Sequence, residues 1–200
     1  MILRSWDAYM THAFPMDELD AIACKGIGPT LDRHDDVQGN YSLTLVDGLD
    51  TLAILGEKER FREGVQLVEK HVDFEGLTTR VSLFEVTIRM LGGLLSSHLF
   101  ASDPTSLVHM EEYDGSLLRL ATQLGDKLLP AFDTPTGIPY NIITLQDGPI
   151  VKHDGSCTAA AGSLLLEFGT LSRLTGNASY EVNMIPLFSF PQCLLIFQED

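Results

Sequence analysis

Four carboxylates stand where apolar side chains are expected, and one arginine accompanies them. In VSLFEVTIRMLGGLL, residues 81–95, Val81, Phe84, Ile88, Leu91 and Leu95 recur at helical spacing. Leu83, Val86, Met90 and Leu94 widen that face. Glu85 lies inside the pattern, with Arg89 one turn on and Gly92-Gly93 beyond it. Asp47 and Asp50 are three apart in SLTLVDGLDTLAILG, so a helix places them on one face. Glu167 follows three leucines in SLLLEFGTLSRLTG.

Each acid has an ordinary reading. Glu85 and Arg89 can form a solvated i,i+4 pair worth a few tenths of a kcal/mol. Asp47 and Asp50 can bond to backbone or to an arginine, and Glu167 can pair with Arg173 or face a wet groove. The alternative is chemistry. A carboxylic acid against an apolar wall keeps its proton to higher pH. Two carboxylates across a polar pit are what glycoside hydrolysis needs, one to protonate the leaving oxygen and one to activate water.

The elements that must hold these residues read almost entirely as helix. The first is predicted over about Trp6–Phe14, stopped by Pro15. CKGIGPTLDRHDDVQGN reads as an exposed loop. A helix over about Ser42–Leu55 takes Ser42 as cap and Gly56 as terminator. EKERFREGVQLVEKHVDF turns Phe61, Val65, Val68 and Val72 inward. The helix that carries Glu85 is predicted over about 81–100, and another over Tyr113–Leu129 ends at Pro130. Residues 131–156 are rich in turns, with room for a short hairpin. A last helix spans about Thr158–Leu174. Helices of similar length in series suggest antiparallel hairpins, and a helical toroid or solenoid follows because each hairpin needs neighbours to cover its apolar face.

A chain of 200 residues with 44% hydrophobic content can bury one core. Its net charge of -15 argues against a nucleic-acid partner, since no basic stripe exists to displace counterions. Cys24, Cys157 and Cys193 form no CxxC pair, and the histidines offer no zinc spacing. The N-terminal MILRSWDAYM shows no signal-peptide run. Asn40 and Asn177 open N-x-S sequons and are candidate glycosylation sites.

At these residues the chain resembles the class I α-1,2-mannosidases, glycoside hydrolase family 47, and within them the endoplasmic reticulum degradation-enhancing α-mannosidase-like proteins. AYMTHAFPMDEL, GNYSLTLVDGLDTLAILG, VSLFEVTIRMLGGLLSSH, LLPAFDTPTGIPY and SCTAAAGSLLLEFGTLSRLTG carry the likeness, in family order, over about residues 6–180. The resemblance implies an all-α fold, part of an (α/α)7 barrel of helical hairpins with about three of seven present. Residues 1–180 would form the N-terminal part of that domain, and 181–200 a divergent apolar tail. It implies Glu85 as the proton-donating acid with Arg89 as its partner. Asp47, Asp50 and Glu167 are assigned to substrate binding or pit structure.

The resemblance further implies an inverting mechanism and a bound Ca²⁺. The family's calcium ligand and base-side acids have no counterpart here, so no metal ligand is assigned in this chain and it is expected to be inactive as it stands. High-mannose N-glycans on misfolded glycoproteins would be the partners, and the endoplasmic reticulum lumen the location. There Cys24 could form a disulfide, or a mixed disulfide with an oxidoreductase. The alternative function is a non-catalytic glycan- or client-binding factor in the same pathway.

Overall fold

The computed structural model describes residues 1–29, 39–145 and 158–183. Helix α1 (Ile2–His12) runs up to the turn containing Pro15, longer at its start than its apolar pattern indicated. The segment after it is not all loop. Strands β1 (Glu18–Asp20) and β2 (Lys25–Ile27) pair antiparallel, Glu18 opposite Ile27. The Asp20 carboxylate turns the chain between them by accepting from the N–H groups of Ile22 and Ala23.

Asp17 organises the turn that leads into the next helix. It is fully buried, and its Oδ1 accepts from the backbone N–H of Tyr41 at 2.9 Å and of Leu43 at 3.1 Å. Its Oδ2 accepts from the N–H of Asn40 at 2.7 Å. Asn40 and Ser42 have φ of 60° and 56°, left-handed values that side chains seldom adopt. The expected cap is therefore corrected. Ser42 donates its hydroxyl to the carbonyl of Pro15 at 2.8 Å, and Asp17 takes the helix's opening N–H groups instead, Leu43 on its carboxylate and Thr44 on its backbone carbonyl.

The expected helix over 42–55 is two pieces, α2 (Leu43–Asp47) and α3 (Leu49–Ile54), meeting at Gly48. A Cβ there would stand 2.8 Å from the Trp6 ring, so α1 crosses this junction closely. Helix α4 (Lys58–His71) buries Phe61, Val65 and Val68 as its pattern requires, with Val72 just beyond.

The Glu85 segment departs further. Val81 belongs to strand β3 (Thr79–Ser82), not to a helix. Helix α5 (Leu83–Val86) then passes into a π turn (Thr87–Leu91) and on into α6 (Gly92–Ser102). The buried stripe runs through Leu83, Val86, Met90 and Leu94. Ile88 is 37% exposed, against expectation, because it shares the opposite face with Glu85, Arg89 and Gly92. Strand β4 (Ile142–Leu145) pairs with β3, Ser82 opposite Ile142. Residues 131–156 thus contribute a long-range strand where a local hairpin was expected. Val81 and Ile143 pair across it, both fully buried.

Helix α7 (Ser116–Leu128) ends in a 3-10 turn through Pro130. The last expected helix is again divided, into α8 (Thr158–Gly162) and α9 (Leu165–Thr175), with Gly176 closing it at φ 72°. A short α10 (Ser179–Val182) comes after it. The apolar tail from 184, Cys157 and Cys193 lie outside the described residues. Helices α3, α6 and α9 pack side by side, and α4 and α7 lie behind them. Leu49, Phe61, Leu94, Leu117, Leu124 and Phe168 fill the space between the two layers. This is an arc of helical hairpins.

Replacing Asp17 with Ala strands three backbone donors and uncaps the left-handed turn. A loss on the order of 3 kcal/mol is expected, read from the urea midpoint at neutral pH.

Candidate active site

Three elements bring their carboxylates to one place. Ser82 caps α5, its hydroxyl accepting from the N–H of Glu85 at 3.3 Å, which sets Glu85 in the first helical turn. One turn on, within the π turn, Arg89 donates from Nε to Glu85 Oε2 at 2.8 Å. The same guanidinium donates from Nη1 to Asp47 Oδ2 at 3.3 Å, reaching the end of α2. Arg89 therefore bridges two acids on two helices, and the simple surface pair becomes one edge of a triad. Its members are 27–42% exposed, as the lip of an open pit would be.

Burial pushes the Asp47 carboxyl above the ordinary range, Arg89 opposes this, and Asp50 and Glu85 add repulsion. Arg89 is held still more firmly in its charged form, chiefly by the bond to Glu85. Asp50 joins the group only through its charge on Asp47. Its own carboxylate accepts from Thr51 Oγ1 at 3.3 Å. Glu85 Oε1 takes no hydrogen bond among the described residues and is free to meet a ligand.

Glu167 approaches from α9. Its Cγ lies 3.6 Å from where a Cβ on Gly92 would stand, an ordinary contact distance that puts the Glu167 side chain against Gly92. Gly92 shares the face of Glu85 and Arg89. Glu167 Oε2 is buried with no hydrogen-bond partner, and burial raises its carboxyl. The ordinary pairing with Arg173 does not form, since Arg173 bonds Glu181 at 3.3 Å.

Gly93 does something different. A Cβ there would lie 3.0 Å from Val46 Cγ1 and 3.1 Å from its carbonyl oxygen. Helix α6 thus crosses α2 backbone to side, next to Asp47. Sequence reasoning noted the glycine pair without a role, and the pair itself was the available signal for a close crossing. It also missed Asp17 and the Ser82 cap.

The remaining candidates sit on other elements. Cys24 is an exposed thiol at the tip of the β1–β2 hairpin, with φ 55°. Asn40 and Asn177 are exposed. Tyr41 and Ser42 of the first sequon are buried, and the Asn177 side chain accepts from the N–H of Ser179 at 3.1 Å. Among the described residues no three His, Cys, Asp or Glu side chains group to hold a metal ion. Arg89 occupies the centre of the acid cluster and repels a cation, so these residues do not fit calcium.

Helical hairpins arrayed round a cluster of acids have a counterpart among solved structures. The α-1,2-mannosidase from Trichoderma reesei superposes with a TM-score of 0.78 at 30% identity, covering 92% of this chain and 37% of that one. The profile of glycosyl hydrolase family 47 matches residues 1–189, and the chain belongs to that family. Among curated relatives, ER degradation-enhancing alpha-mannosidase-like protein 1 of Schizosaccharomyces pombe is 47% identical over 92% of this chain and 24% of its own length. Alpha-mannosidase I MNS4 of Arabidopsis thaliana is 46% identical over 90% and 28%. ER degradation-enhancing alpha-mannosidase-like protein 2 of Homo sapiens is 41% identical over 90% and 30%. The chain spans about a fifth to a third of the length of the curated relatives it matches. The fold is thus part of the (α/α)7 barrel of these enzymes.

The two glycines should answer differently to substitution. Gly93→Ala drives a methyl into Val46, costing about 1–3 kcal/mol of overpacking against at most about 1 kcal/mol of helix propensity gained. Gly92→Ala meets only ordinary contact and should be neutral or stabilising by up to about 1 kcal/mol. Urea unfolding of both variants separates them, and the Arg89 Nε–H resonance should shift in the first alone. Glu167 should show itself through pH. Its carboxyl is raised on folding, so its contribution to stability is fully present at low pH and is lost as pH rises through the folded value. Gln cannot titrate. The stability of Glu167→Gln relative to wild type should therefore grow as pH rises above the ordinary carboxylate range of about 4, as measured by thermal unfolding at a series of pH values.

Proposed function

We propose that this chain carries the acid-donating wall of an inverting α-1,2-mannosidase that trims high-mannose N-glycans on misfolded glycoproteins in the endoplasmic reticulum lumen. The bridge from Glu85 through Arg89 to Asp47, open on the Glu85 Oε1 side, is the observation that carries it. The names of the relatives, endoplasmic reticulum degradation-enhancing proteins among them, support the setting.

In this reading Arg89 holds Glu85 Oε2, leaving Oε1 to present a proton to the glycosidic oxygen of a bound mannose. Asp47 and Glu167 accept from sugar hydroxyls and orient the ring, with Asp50 strengthening the negative field on that side. Inversion needs a second carboxylate to activate water from the opposite face, about 6.5–9.5 Å from the acid. The described residues supply the acid side of that pair. We therefore expect residues 1–200 alone to release no mannose. The calcium site is not formed by the described residues, and the steps above run through side chains only.

One observation favours a second assignment within the same pit. Glu167, with a raised carboxyl and an unpartnered buried oxygen, is equipped to carry a proton. The full-length Schizosaccharomyces pombe relative separates the two. Replacing the residue aligned with Glu85 by Gln should cut kcat for oligomannose trimming by about 10²–10⁴-fold and leave binding intact. The residue aligned with Glu167, replaced in the same way, should act mainly on KM. Exchange of these two outcomes would make Glu167 the acid, and undiminished mannose release from both variants would defeat the reading. Binding of oligomannose without release by the full-length relative itself would instead mark a non-catalytic glycan-binding role.

A further inference from the structure

Behind the pit, helices α4 and α7 diverge and leave a groove of about 810 Å³ on the outer layer. Lys58, Arg62, Gln66 and Glu69 line one wall at successive turns of α4. Ser116, Arg119, Leu120 and Gln123 line the other along α7. The loop through residues 109–114 closes one end. The helices touch sparingly, tied at that end by the Ser116 hydroxyl donating to Glu69 Oε1. This groove shares no residue with the acid cluster.

Much of its bonding capacity is already spent internally. Glu69 is taken by Ser116, and Arg119 by Asp114 at 2.9 Å. Arg62 reaches Glu59 only at 3.7 Å, with both side chains well exposed. The side chains of Lys58, Gln66, Gln123, Glu111 and Glu112 make no hydrogen bond or ion pair among the described residues. The groups left over are thus two cations, two carboxylates, two amides and the Nε2 of His109, whose Nδ1 meets the Ala101 carbonyl at 3.0 Å. The two positive and two negative charges cancel, and the lining offers both donors and acceptors.

Such a lining selects its ligand by elimination. An anion would meet Glu111 and Glu112, and a cation Lys58 and Arg62. A polypeptide segment needs apolar pockets for anchoring side chains, and the apolar residues here are Met110, Tyr113 and Leu120. The Tyr113 hydroxyl is engaged, 2.9 Å from His98 Nδ1 and 3.1 Å from the N–H of Leu117, so its ring is held in place at the groove. A neutral molecule dense in hydroxyls satisfies amides, carboxylates and ammonium groups together, and can lay an apolar sugar face on a fixed ring.

We propose that the α4–α7 groove is a second, non-catalytic binding site for a neutral oligosaccharide, separate from the Glu85 pit. Only the choice of mannose as first probe rests on the hydrolase reading. The test is a titration of the full chain with linear α-mannotetraose, cellotetraose and a capped neutral serine-rich peptide, followed through the side-chain amide resonances of Gln66 and Gln123. At least one sugar should shift both saturably, with a Kd of about 1 mM. Gln66→Leu/Gln123→Leu, both on exposed positions, should weaken binding at least fivefold, and Gln66→Ala/Gln123→Ala repeats the measurement should the leucines perturb folding. Glu85→Gln should leave the groove shifts unchanged. Cellotetraose binding without mannotetraose would support the groove and remove its link to mannose. Three results would overturn the proposal: no saturable shift with either sugar, loss of the shifts in Glu85→Gln, or tighter binding by the peptide.

Discussion

One guanidinium holds the candidate site together. Arg89 is the sole cation that the described contacts place among Asp47, Asp50, Glu85 and Glu167, and it bonds two of them from two helices. Without it, carboxylates converging on a partly dry pit would repel one another and take up protons. With it, two acids are fixed in position and each keeps an oxygen for a ligand. Arginine suits the task better than lysine, since its planar fork reaches two carboxylates in set directions at once. The π turn that carries Arg89 belongs to the same arrangement, as such turns commonly mark sites where a helix serves function before regularity.

The bridge can span two helices only because their backbones come close. Gly93 permits that approach at Val46, and the Glu167 side chain lies against Gly92. The surroundings carry a cost in unsatisfied polarity. Thr87 Oγ1, Ser97 Oγ and Glu167 Oε2 are buried without partners. Of the three, Thr87 lies in the π turn and Glu167 stands against Gly92, so part of the least satisfied polarity lies beside the most charged cluster. Sites that bind polar ligands often keep this kind of unused capacity.

Much of this was legible in the residues. The inward stripe of α4, the helix over 116–128 and the acids embedded in apolar segments are all consequences of period and side-chain type. The likeness in five ordered segments gave the family. What escaped was decided by contacts distant in sequence. Strand β3 exists because β4, some sixty residues on, pairs with it, so Val81 could not be told from the first turn of a helix. Ser42 has the composition of a cap, yet a buried acid from another segment took the role. Glu85 appeared to interrupt an apolar face, when the face in question was Leu83, Val86, Met90 and Leu94, and Glu85 stood opposite with Arg89 and Ile88.

The Asp17 clamp bears on the order in which the molecule takes shape during its synthesis. Its partners lie only 23–26 positions downstream, so the loop it closes is short and its entropic cost modest. Once residues 17–47 have emerged from the ribosome, this carboxylate can organise the turn and start the helix that ends at Asp47. Glu85 and Arg89 emerge next and have a placed acid to dock against, and Glu167 comes last, onto a surface already built. The clamp that places the Asp47 wall is thus closed within a short stretch of chain, before the segments that carry Glu85 and Glu167 are needed.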